Sequence, residues 1–325
     1  MKIIDIHKII KGLNKKYRIY APQNLKGRLL FKELKSPKNF DYTGRIPENS
    51  FKDILFPDGH VLYEYEGTEI KTPKYEEPEL CLFGLTIFDI RALDFINHVL
   101  EKDPYFQARC RKIVIVGQSY VPEVGDAADE IEKDYEDKVL EHVRFDIFIK
   151  RIDKSNFKLY TGSRKGQKIL EFLGFPDYEH IEFRGLECDF EPAGTNKKNI
   201  LKTYKKPIWE QWGKLCLNCA KCTVSCPTCY CFELENISTG KNQGKVIRKW
   251  SSCFQTEFSE VAGRAKFLKN STDRIYNWYY HKHVRNHDEL CLVGCVGCGR
   301  CDRVCPAGIK RLEVLNSLKS KKNAQ

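Results

Sequence analysis

Eight cysteines carry the chemistry that the sequence announces most clearly. Cys216, Cys219, Cys222 and Cys226 are spaced C-x2-C-x2-C-x3-C and followed by Pro227, and Cys295, Cys298, Cys301 and Cys305 repeat the spacing ahead of Pro306. Three thiols at three-residue intervals can curl around one iron–sulfur cube and present three thiolates to three irons. The proline then turns the chain and carries the fourth cysteine toward the other cube. On this rule one 4Fe-4S cluster takes Cys216, Cys219, Cys222 and Cys305, and a second takes Cys295, Cys298, Cys301 and Cys226. Zinc is the competing reading. It is bound by separated cysteine pairs around one tetrahedral ion, and four crowded cysteines repeated with a following proline fit that arrangement poorly.

The spacing is that of bacterial two-cluster ferredoxins, so a ferredoxin-like domain with a long insertion between its cluster motifs is expected. Gly294, Gly297 and Gly299 would let the backbone approach the inorganic sulfides and donate N–H bonds to them. Residues 227–294 separate the motifs and hold further thiols, Cys229 and Cys231 in CPTCYCF and Cys253 in RKWSSCF. With Cys291 these form a candidate third centre. The alternative is that they are small buried hydrophobes packed around the clusters, as expected for the isolated Cys81, Cys110 and Cys188.

The remainder of the chain must position this machinery. With 325 residues, 42% hydrophobic and 30% charged, there is room for two domains with separate cores. The polar stretch Cys188–Pro207 marks the boundary, giving an α/β domain over 1–195 and a cluster domain over 196–325. IIDIHKIIKGL and FDIRALDFINHVLEK read as helices, and YRIYAP and VLYEYEG as half-buried strands. CLFGL and KIVIVG are short apolar runs suited to strands covered on both faces. GDAADEIEKDYEDKVLEHV reads as an acidic helix. FDIFIKRI and FKLYTG should pair, with a helix at RKGQKILEFLGF.

No apolar run is long enough to span a bilayer, and the charge scattered through the first residues leaves no signal-peptide core. A cytoplasmic protein is expected. That agrees with reading fifteen cysteines as metal ligands and thiols rather than disulfides. The formal charge of +11 falls to about +7 once two clusters of net charge −2 are bound. The basic and aromatic segment Arg264–His287 could stack bases in a nucleic-acid-binding protein with a structural Fe–S domain. The preferred reading is a helix whose Ile275, Trp278 and Tyr279 cover a cluster while its lysines, and its histidines His281, His283 and His287, face water. No P-loop, dinucleotide fingerprint or Ser-His-Asp pattern is present, so no catalytic residue is assigned.

CPTCYCF, RKWSSC and CVGCGRC…CPAGI resemble the beta (iron–sulfur) subunit of cytoplasmic NAD(P)-linked nickel–iron hydrogenases, or sulfhydrogenases. The corresponding iron–sulfur subunit of anaerobic sulfite reductase, its A chain, is a close relative. YRIYAP, LFGLTIFDIRALDFI, DPYFQAR and FKLYTGSRKG follow in the family's order. The resemblance implies an electron-transfer subunit. It would work between a partner that binds flavin and NAD(P) and a catalytic partner, either nickel–iron hydrogenase or sulfite reductase. Three departures stand out. Phe88 occupies a position where many relatives have cysteine, the stretch after IVIVG has no cysteine, and VAGRAKF replaces a Gly-Gly-His segment. The resemblance therefore gives no N-terminal metal centre here.

Overall fold

The computed structural model describes residues 1–73, 79–122, 134–186 and 197–319. The expected boundary at 195/196, Cys188 and the first part of the acidic helix lie outside them. The last part of that segment forms a short helix, Tyr135–Leu140.

The N-terminal region is built on a mixed seven-stranded sheet. Its strands are β1 (Arg18–Leu25), β2 (Arg28–Glu33), β5 (Leu80–Leu85), β6 (Ile113–Gln118), β7 (Ile147–Arg151), β8 (Phe157–Thr161) and β9 (Glu179–His180), in the order β2-β1-β5-β6-β7-β8-β9. The central block β1-β5-β6-β7 is parallel. All six residues of β5 are buried, as a strand covered on both faces requires. Side chains alternate along it: Cys81 and Phe83 enter one core with the helix Ile3–Leu13, and Leu80 and Leu82 enter another with Ile87–Val99. The expected pairing of FDIFIKRI with FKLYTG is β7–β8, antiparallel, with Ile147 opposite Thr161. The helix Arg164–Phe172 follows, capped by Ser163, whose side chain accepts from the Gly166 N–H.

VLYEYEG is a strand, but not of this sheet. It forms β3 (His60–Glu66), which sits with β4 (Glu69–Lys71), β10 (Phe232–Gly240) and β11 (Gln243–Trp250) in a second sheet ordered β10-β11-β3-β4. The hairpin β10–β11, to which the sequence reading assigned no element, thus fastens the segment between the cysteine motifs onto the N-terminal half. Trp250 reinforces the join, its indole N–H donating to the Phe56 carbonyl at 2.8 Å and its backbone N–H to Asp58 at 2.7 Å. The two halves also share a core, because Val296 and Cys298 pack with Phe88, Leu93 and Phe148. Burial that crosses the expected boundary holds them together.

Beyond the hairpin, Asn270 caps the helix Ser271–Tyr280 by accepting from the Asp273 N–H at 2.9 Å. The helix runs through a π-helical turn, His281–Arg285, into the helix Asn286–Leu290. Its apolar face joins Trp209, Phe254, Val314 and Leu315 in a third core. No helix of the described residues is long and apolar enough to cross a membrane.

Candidate iron–sulfur site

The two cysteine loops have one backbone shape. In Cys216–Cys222 the positive φ values fall at Asn218 (51°) and Ala220 (59°), and in Cys295–Cys301 they fall at the matching positions Gly297 (79°) and Gly299 (68°). A short helix follows each, Lys221–Val224 and Arg300–Val304. Holding an alanine in the left-handed region costs roughly 1–2 kcal/mol, so Ala220 accepts strain that glycine avoids in the second loop. Repeating that shape at such a cost is what wrapping two loops around two like objects would demand. Gly294 has a different role from the one expected. A Cβ there would come within 2.1 Å of the Asn286 amide nitrogen, so the close approach it permits is to the neighbouring helix.

The structure brings Cys216, Cys219, Cys222 and Cys305 onto the wall of a single cavity. Three come from the first motif and one from the second. Ile275, Trp278 and Tyr279 line the same cavity, as read from their helical spacing. Cys301 also lines it while lying close enough to Cys295 and Cys298 for their charges to act on it. Cys226, from the first motif, acts on Cys298 in the same way. The thiols thus fall into two adjoining groups with Cys301 at the shared wall.

Buried cations surround the second group, which the sequence reading did not foresee. Lys282 is 3% exposed. Burial pushes its pKa down, but the neighbouring sulfurs of Cys226, Cys229 and Cys295 outweigh that and raise it, so the ammonium stays charged. Its Nζ donates to Thr228 Oγ1 at 2.7 Å, and that hydroxyl donates to the Gly294 carbonyl at 2.6 Å. Arg300, in the second loop, pairs with Asp89 at 2.8 Å, the two side chains 1% and 3% exposed. Lys52 is also buried, with Nζ donating to the Thr223 carbonyl at 3.1 Å and lying 4.0 Å from the Trp250 ring centre. Burial lowers its pKa, against the pull of Cys229 and Cys226.

Several donors around the cavity have no protein partner. Arg311 is 2% exposed and lines the first cavity, yet its Nε and Nη1 make no hydrogen bond, and neither does the indole N–H of Trp278. Leaving a buried donor unmade costs about 1–3 kcal/mol. Orphaned donors and thiols on an otherwise apolar wall fit an anionic iron–sulfur group.

The expectation that this helix turns its lysines and histidines to water is corrected. The π-helical turn buries Lys282, His283 and Val284 in succession, a local change of pitch often found at functional sites. His283 stacks on Tyr279, and His281 lies 3.2 Å from the Tyr230 hydroxyl. The basic face proposed for nucleic acid is largely consumed. Arg274 and Lys282 are buried, Lys266 pairs with Glu260 at 3.0 Å, and Arg285 pairs with Glu289 at 2.8 Å.

The candidate third centre is not brought together as one site. Cys291 is disulfide-bonded, so its sulfur has no thiolate to give to iron. Cys229 donates a hydrogen bond to Cys226 instead. Cys231 lies near Cys253, whose thiol burial pushes up to about 12. No group of three or more His, Cys, Asp or Glu among the described residues is placed to hold a single metal ion. Cys81 is fully buried in the sheet, and burial likewise raises its thiol.

The fold and site describe an iron–sulfur protein, and residues 215–309 match the 4Fe-4S dicluster domain family. The chain therefore carries a C-terminal 4Fe-4S dicluster domain behind an α/β N-terminal region. The resemblance drawn from the cysteine motifs extends along nearly the whole chain. It is 28% identical to sulfhydrogenase 2 subunit beta of Pyrococcus furiosus, covering 93% of this chain and 92% of that protein. No solved structure matches with comparable significance.

Proposed function

We propose that the chain is an electron-transfer subunit of a cytoplasmic multi-subunit oxidoreductase of the nickel–iron hydrogenase type. In this reading it relays electrons between a flavin- and NAD(P)-binding subunit and the catalytic subunit. The observation that carries the reading is the crossed arrangement of thiols: Cys305 on the cavity of Cys216, Cys219 and Cys222, and Cys226 close enough to Cys298 for its charge to act on it. Cys216, Cys219, Cys222 and Cys305 would hold one 4Fe-4S cluster, and Cys295, Cys298, Cys301 and Cys226 the other, on a ferredoxin-like domain with residues 227–294 inserted. Such clusters supply one-electron transfer at potentials set by charge, hydrogen bonding and burial.

The protein's own contribution is to hold the two thiol groups side by side. Ile275, Trp278 and Tyr279 keep water from the first, and buried cations offset the negative charge of the second. The sulfhydrogenase likeness favours the hydrogenase branch over the anaerobic sulfite reductase branch. The burial and pairing of the basic segment disfavour a nucleic-acid role.

The test is iron and labile-sulfide analysis of anaerobically purified protein, coupled to Cys305→Ser. About eight irons are expected, with Cys305→Ser perturbing the cluster of the first motif in a spectrum that resolves both. A single zinc without labile sulfide would refute the reading, and about twelve irons would restore a third centre.

A further inference from the structure

Arg300 has the Asp89 carboxylate beside it, and Lys282 has the Thr228 hydroxyl. Arg311, the first residue of the helix Arg311–Ser317, is buried as deeply and has no such partner. Its Nε and Nη1 make no hydrogen bond, and among the described residues its guanidinium forms no ion pair. The carboxylate of Asp302 is taken up by the backbone instead, its Oδ1 accepting the Arg311 N–H at 2.7 Å. Burying an unpaired charge is costly, and a guanidinium cannot avoid that cost by losing its proton.

Sulfur is what lies near it. Arg311 lines the cavity of Cys216, Cys219, Cys222 and Cys305, and Cys301 belongs to the same wall. The bond to Asp302 pins its backbone to the residue that follows Cys301. Cys295 and Cys301 are also close enough for their charges to act on it. The first four thiols are those assigned to one cluster, and Cys295 and Cys301 belong to the other. Arg311 therefore stands where the two groups adjoin.

We infer that Arg311 is a cation shared by the two clusters, its guanidinium donating N–H bonds into the first cavity while its charge also acts on the second group. A positive charge buried between two anionic groups favours electron entry at either, so it raises both reduction potentials together. Lys282, by contrast, is held at the second group by the Thr228 hydroxyl, which donates to the Gly294 carbonyl. No bond is made or broken in this role. The electron comes from the redox partner, and the guanidinium keeps its proton. The inference rests on the cluster assignment proposed above and adds to it a residue outside both cysteine motifs.

The experiment compares wild type, Arg311→Met and Arg311→Lys, each purified anaerobically as the full chain. Iron content and an EPR-monitored redox titration that resolves both clusters are the readouts. All three should hold about eight irons. In Arg311→Met both clusters should become harder to reduce, each by about tenfold, equivalent to a negative shift of roughly 59 mV for a one-electron couple. Arg311→Lys keeps the charge and loses the planar donor fork, so it should recover most of that shift at both clusters. A shift confined to one cluster, no shift at either, or a lysine variant no better than the methionine one would overturn the inference. Wild type with fewer than two clusters would instead overturn the assignment beneath it.

Should Arg311→Met lose iron, Arg311→Gln decides. Its amide keeps a neutral donor and removes the charge, so both potentials should still move negative. A glutamine variant with both potentials at their wild-type values would refute the shared charge.

Discussion

Replacing Asp89 tests how far the N-terminal region supports the cluster domain. Arg300 stands between Cys298 and Cys301 in the second ligand loop, and its guanidinium is anchored on Asp89, in the helix Ile87–Val99 of the other half. The contacts are Nη1 to Oδ1 at 2.8 Å and Nη2 to Oδ2 at 3.1 Å, and Nε donates to the Pro47 carbonyl at 2.8 Å. Asp89→Ala would leave a cation with almost no access to water. Breaking one partner of such a buried pair costs about 3–5 kcal/mol. The Pro47 carbonyl and the neighbouring Cys298 sulfur still face the guanidinium, so the lower figure, about 3 kcal/mol, is expected. At about 2–4 °C per kcal/mol for a unit of this size, the apparent Tm should fall by roughly 6–12 °C.

The assay is thermal melting of the anaerobic holoprotein at one fixed scan rate, followed by far-UV circular dichroism and by visible cluster absorbance together. Both signals should move, because the pair joins the sheet region to a ligand loop. Asp89→Asn, which keeps the shape and removes the charge, should fall between. Asp89→Leu combined with Arg300→Met should recover most of the loss, since a packed apolar pair can replace a buried ion pair at little cost. A fall below about 2 °C in Asp89→Ala, or a double variant no better than the single one, would refute the argument.

Two further outcomes are expected. Lys282→Met should make the second cluster harder to reduce, because an electron would enter an anionic site that has lost one of its buried cations. An interaction of about 1–4 kcal/mol corresponds to a negative shift of roughly 40–170 mV in redox titration, with Lys282→Arg staying near wild type. Trp278→Ala removes part of the wall over the first cavity, so air exposure should bleach that cluster several-fold faster than the second. Equal rates by EPR would show that the indole does not shield it.

Much of this protein is local, and the sequence determined that part by itself. The eight motif cysteines, the strands β1, β5, β6, β7 and β8, and the helices Ile3–Leu13, Ile87–Val99 and Arg164–Phe172 follow from spacing and periodicity, because ligand intervals and hydrophobic repeats act over a few residues. The cover by Ile275, Trp278 and Tyr279 was legible for the same reason, as one face of one helix. Only the tertiary structure decided where β3 pairs, because strand periodicity fixes which side chains face a core and not which strand lies alongside.

It also decided the fate of the charged residues. Lysine is ordinarily a surface residue, and nothing in HKHVR marks Lys282 as buried. It enters the interior because a π-helical turn changes the pitch beside sulfurs whose negative charge, contributed by two distant parts of the chain, compensates its desolvation. Arg300 is likewise settled by Asp89, 211 positions away. A buried charge is stable only beside its partners, and those partners are neighbours in space rather than in sequence.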